Sequence, residues 1–122
     1  QDWNMVVSGT IEARYYSFSN LNTTGVVINS GATIDATNYM QNGTFSYPVN
    51  NNTVMLRLNR KIPGDALNNM TFDSGGSGAT SITNIQTVTT AGTLTITDWN
   101  GDLGGDTPTD FDNDPTYIVN WG

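Results

Sequence analysis

Apolar and polar residues alternate with a period of two along much of this chain. Val54, Leu56 and Leu58 fall on one side of an extended segment, and Met55, Arg57 and Asn59 on the other. Leu94 and Ile96 alternate with Thr93, Thr95 and Thr97; Tyr117, Val119 and Trp121 alternate with Ile118 and Asn120. Successive side chains of a strand point to opposite faces, so each segment reads as a strand with one buried face. Apolar residues rarely recur at three-four spacing, and Thr, Val, Ile and Tyr abound where Ala, Leu, Glu and Lys are scarce. No segment reads as a helix.

The first strand region is the longest, from Trp3 to Phe18, with a phase shift at Ser8-Gly9 that suggests a bulge or a change of sheet. Further strands are expected at Gly25–Asn29, Asn38–Tyr47, Asn69–Phe72 and Ser81–Thr90. Turn formers separate them: Asn22 to Gly25, Ser30-Gly31, Pro48 to Asn52, Pro63 to Asp65, and Ser74 to Gly78. Ala91-Gly92 is expected to close a hairpin between two Thr-rich strands. About eight short strands at this spacing predict an antiparallel β-sandwich, Ig-like or jelly-roll-like. No internal repeat or linker stands out, so residues 1–122 read as one domain.

Hydrophobic residues make up 36% of the chain and charged residues 12%, both below the usual share. Thr, Asn, Gly and Ser fill the remainder, as on many extracellular surfaces. The net charge is −7, with Arg14, Arg57, Arg60 and Lys61 as the basic residues. That leaves too little positive charge for nucleic acid or an anionic membrane. No apolar run approaches the roughly 20 residues that cross a bilayer as a helix. The chain begins at Gln1, as a processed secreted protein would, and contains sequons at Asn22, Asn42, Asn51 and Asn69. The expected location is extracellular, with those four asparagines as candidate glycosylation sites.

Chemistry concentrates between Asp98 and Asp114. This stretch holds Asp98, Asp102, Asp106, Asp110, Asp112 and Asp114, with Asn100 adding an amide oxygen. Crowded carboxylates repel unless a counter-charge is supplied, and no basic residue lies nearby in sequence. A hard cation with oxygen ligands would serve, so these seven residues are the candidate ligands of a Ca²⁺ ion. Asp98-x-Asn100-Gly101-Asp102 resembles the opening of dockerin and EF-hand loops. It departs from them in having Leu103 at the sharp-turn glycine position and no Glu at position 12. The alternative is a solvated acidic loop built from ordinary turn formers.

Trp99 and Phe111 sit within the acidic stretch, where core burial is less expected. Trp99 is the candidate ligand contact, stacking on a sugar, and the alternative is that both rings fold back to anchor the loop. The adjacent Tyr15 and Tyr16 must face opposite sides of a sheet. Arg57 and its basic neighbours read as charged gatekeepers of an edge strand. Both chain ends are apolar and β-prone. Trp3, Met5, Val7 and Ile11 are the candidate assembly residues, through which a terminal strand could enter a neighbour's sheet.

Catalysis is not expected. The chain has no His and no Cys, a single Glu and no phosphate-cradling glycine loop. The sequence therefore predicts a self-associating structural subunit of a fibre, pilus or surface layer, with a Ca²⁺-dependent carbohydrate-binding module or adhesin domain as the alternative.

Overall fold

The computed structural model describes residues 2–34, 40–62, 66–87, 93–106, 112–113 and 119–122. Among them it contains only β-strands: β1 (Trp3–Val7), β2 (Thr10–Ile11), β3 (Ser17–Ser19), β4 (Leu21–Ile28), β5 (Thr33–Ile34), β6 (Thr44–Ser46), β7 (Val54–Leu58), β8 (Met70–Asp73), β9 (Thr83–Thr87), β10 (Leu94–Ile96), β11 (Trp99–Asn100), β12 (Asp112–Asn113) and β13 (Val119–Trp121).

The all-β expectation holds, but the antiparallel sandwich does not. Every strand pair among the described residues is parallel. One sheet runs in the order β1-β4-β7-β9-β12 and a second in the order β11-β8-β6-β3, with short two-stranded sheets β2-β5 and β10-β13 between them. The chain thus passes from the first sheet through a short strand to the second, then steps to the next turn, winding a β-solenoid of about three turns. The last strands continue the same stack. Such a molecule is quasi-one-dimensional, because each turn contacts only its neighbours.

Three further expectations change with it. The supposed long first strand is three, β1, β2 and β3, with a corner at Ser8-Gly9 where the Gly9 carbonyl accepts from Thr33 N–H at 3.0 Å. The expected hairpin fails because β9 and β10 belong to different sheets; Ala91 and Gly92 themselves lie outside the described residues. Arg57 stands on β7, a central strand, where it donates to the Gln86 side chain at 2.5 Å and to the Thr24 carbonyl at 3.1 Å.

A repeat also emerges. Parallel pairing in register stacks Phe18 on Phe45 on Phe72, and Asn42 on Asn69, at a spacing of 27 residues. Each phenylalanine is preceded by Ser or Thr and followed by Ser or Asp, so one side chain faces in and its neighbours face out. The corners repeat as well. Tyr15, Asn42 and Asn69 occupy one corner and Asn20 and Tyr47 another, all with φ between 51° and 59°.

The core fills the tube between the sheets. Val26, Leu56 and Ile85 stack in one column and Ile28 and Leu58 in the next, all fully buried. Aromatic rings form a spine along the second sheet. Phe45 and Phe72 stack at 5.3 Å, and Phe18 meets Phe45 at 5.5 Å. Trp3 closes on Phe18 at one end, and Trp121 on Phe72 at the other, both edge-on. Ring pairs at these separations add to the area they remove from water. Tyr16 shows how local sequence fits the stack: its ring occupies the space over Gly43, where any Cβ would collide with it. Its hydroxyl donates to the Met40 carbonyl at 2.9 Å.

Candidate functional site

The two ends of the solenoid differ from its middle. In the first turn, β1, β2 and β3 each pair on one side alone among the described residues, with β4, β5 and β6. Their inward residues, Trp3, Met5, Val7, Ile11, Ala13, Tyr16 and Phe18, pack on the core yet stay only partly buried. One turn further in, the residues in register with them, Val26, Ile28, Ile34 and Phe45, are buried. Nothing but position separates the two sets, since the chemistry is the same and the outer set lacks a following turn.

Hydrogen-bond geometry identifies the free edge of β1. Trp3 N–H donates to the Asn20 carbonyl at 3.1 Å, and the Val7 carbonyl accepts from Asn29 N–H at 2.9 Å. The N–H and C=O of a strand residue point to the same side, so odd-numbered residues face β4 and Asn4 and Val6 face outward along the open edge. Val6 is also 51% exposed. The four candidate assembly residues, Trp3, Met5, Val7 and Ile11, therefore lie together at this open end. Ala13, Tyr16 and Phe18 belong with them and were missed. The signal available was the 27-residue recurrence, which marks residues before Phe18 as a first turn.

At the other end lies the acidic stretch. Trp99 and Asn100 form β11, paired with β8, so the Asp98–Asp102 segment is a strand entering a turn. The Asp98 carbonyl accepts from Met70 N–H at 2.9 Å. The Asp102 carboxylate accepts from the Ser74 backbone N–H at 2.7 Å and from the Ser74 hydroxyl at 2.6 Å. These two bonds hold its pKa below the usual carboxylate value. Asp112, on β12, accepts from the Trp121 indole N–H at 2.7 Å, and Asp106 is exposed. Asp110 and Asp114 lie outside the described residues, as does Phe111. Among the described residues, no group of three metal-ligating side chains converges.

The Trp99 ring meets the edge of Trp121 at 5.7 Å and lies over Gly104 and Gly105, where a Cβ would come within 2.5 and 2.8 Å of it. It thus anchors the turn that follows β11 while remaining 37% exposed. Among the sequon asparagines, Asn51 and Asn69 are exposed and Asn22 and Asn42 half-buried. Asn69 and Asn42 hydrogen-bond each other at 2.7 Å across adjacent turns, and the Asn51 side chain accepts from Thr80 N–H.

The outer face of the second sheet is a further surface. Ser17, Thr44, Thr71 and Asn100 form one outward row and Ser19, Ser46 and Asp73 another, set by the register of β3, β6, β8 and β11. Tyr15 precedes this sheet at one border and Tyr47 follows it at the other.

No protein-family model, curated protein or solved structure matches the chain. Among the described residues, no helix is long and apolar enough to cross a membrane.

Proposed function

We propose that this chain is a structural subunit of an extracellular fibre or surface layer, assembling end to end by adding its first turn to the end of a second copy. The observation that carries this reading is the open first turn: half-buried Trp3, Met5, Val7 and Ile11 beneath strands with a free edge. An unpaired edge is a template for another strand, and solenoids remain soluble when a polar terminal repeat covers their ends. No such cover lies over β1, β2 and β3 among the described residues.

A parallel stack has a direction. A second copy that continues it joins head to tail, and a head-to-tail contact that does not close makes a filament. Simple addition requires no exchange of a terminal strand, because β1 already lies in its own sheet beside β4. The shortage of charged residues and the sequons support an extracellular setting.

The test uses sedimentation velocity and negative-stain imaging over a range of concentrations, with Val6→Pro as the variant. Proline removes the N–H of Val6 from the open edge and leaves the bonds from β1 to β4 intact. The wild type should grow into rods with rising concentration, and Val6→Pro should remain a folded monomer. A monodisperse wild type, or rods undiminished in folded Val6→Pro, would refute the proposal.

A further inference from the structure

Tyr15 and Tyr47 hold left-handed backbone conformations, with φ of 52° and 51°. The equivalent corners on neighbouring turns use asparagine: Asn42 and Asn69 beside Tyr15, and Asn20 beside Tyr47. Asparagine tolerates this region because its short polar side chain hydrogen-bonds locally, whereas a tyrosine there is strained. Burial does not offset that strain at Tyr15 and offsets it only in part at Tyr47. Tyr15 is 81% exposed and Tyr47 41% exposed. The Tyr15 ring is not explained by the stability of the fold, and the Tyr47 ring is covered only in part, against Gly75.

Both tyrosines stand at corners that border the same surface. Between the corner before β3 and the corner after β6 lie the two outward rows of hydroxyl, amide and carboxylate groups. Tyr47 reaches towards the next turn, since a Cβ at Gly75 would stand 3.2 Å from its ring. The described residues of this face include no Lys or Arg, and Asp73 adds negative charge to a chain already at −7. An anionic ligand would be repelled. A neutral sugar chain fits both features, because its hydroxyls match the polar rows and its C–H faces stack on phenol rings. Tyrosine gives such contact area at low conformational cost.

We infer that the outer face of the β3-β6-β8-β11 sheet binds a neutral glycan, with Tyr15 and Tyr47 as its aromatic contacts. This goes beyond end-to-end assembly and uses a different surface.

The experiment measures retention on insoluble cellulose, xylan, mannan and chitin, using Val6→Pro protein at a concentration where it sediments as a monomer. Binding is thereby read independently of assembly. Tyr15→Asn and Tyr47→Asn are then introduced singly into that background. At least one of the four polymers should retain the parent, and each substitution should weaken that retention about tenfold. The melting temperature should hold or rise, because asparagine relieves the backbone strain. Retention on none of the four, unchanged retention in both variants, or a fall in melting temperature in both would overturn the inference.

Discussion

The rings of Phe45 and Phe72 lie 5.3 Å apart and only 13° from parallel, each fully buried and each in register with the other on adjacent strands. A sheet that pairs like with like holds them there. Their contact is the centre of the spine that runs from Trp3 to Trp121.

Phe45 touches rings on both sides, so its loss leaves a cavity that the two flanking turns cannot close together. Phe45→Ala should cost about 3–5 kcal/mol of stability and Phe45→Leu distinctly less. Urea unfolding followed by tryptophan fluorescence measures both.

Gly43 is small because Tyr16 is large. A Cβ at position 43 would fall within the Tyr16 ring, so Gly43→Ala should destabilise by several kcal/mol, well above the usual range for a core glycine. Tyr16→Leu in the same chain should recover part of that loss, making the pair non-additive. A double-mutant cycle in thermal unfolding reads the coupling, and strict additivity would show that the two positions do not meet.

Asp102 titrates below its ordinary value because Ser74 donates to it twice. A pKa depressed in the folded state means stability that is present above the unfolded carboxylate pKa, near 3.9, and is lost as pH falls below it. Ser74→Ala should return Asp102 towards the ordinary range and flatten the loss of stability on acidification. Asp102 is exposed, so the change should be modest. Carboxyl chemical shifts followed through an acid titration give the pKa directly.

How much of this was legible in the sequence follows from what alternation encodes. The alternating segments at Val54–Leu58, Leu94–Ile96 and Val119–Trp121 form β7, β10 and β13. Alternation says which face of a strand is buried and nothing about which strand lies beside it. Parallel sheets usually reveal themselves as continuous apolar runs, because helices cover both faces. Here the outer face of the second sheet is polar, so Ser17-Phe18-Ser19 and Thr44-Phe45-Ser46 carry the pattern of an antiparallel sandwich. The decisive clue was the recurrence of Phe18, Phe45 and Phe72 at 27-residue spacing, which divergent corners obscure.

The candidate sites divide in the same way. Trp3, Met5, Val7 and Ile11 were picked for apolar, strand-forming character, which is also what lines the inside of a solenoid turn. The acidic stretch was picked for its spacing; within it Trp99 and Asn100 pair as a strand and Asp102 accepts from Ser74, while Asp110 and Asp114 lie outside the described residues. The Tyr15-Tyr16 pair could be assigned to opposite faces from sequence, but the strain at Tyr15 and Tyr47 is visible only in the backbone angles.

Parallel register is the claim on which the open end, the polar rows and the aromatic spine all depend. The chain contains no cysteine, so a pair introduced at Thr44 and Thr71 reports on that register alone. Neighbouring in-register strands bring Cα atoms within disulfide range, about 4.4–6.8 Å. Mild oxidation of the Thr44→Cys/Thr71→Cys protein should give an intramolecular disulfide, seen by mass spectrometry as a monomer without free thiols. Two thiols that stay free, or that link only between molecules, would contradict the parallel solenoid.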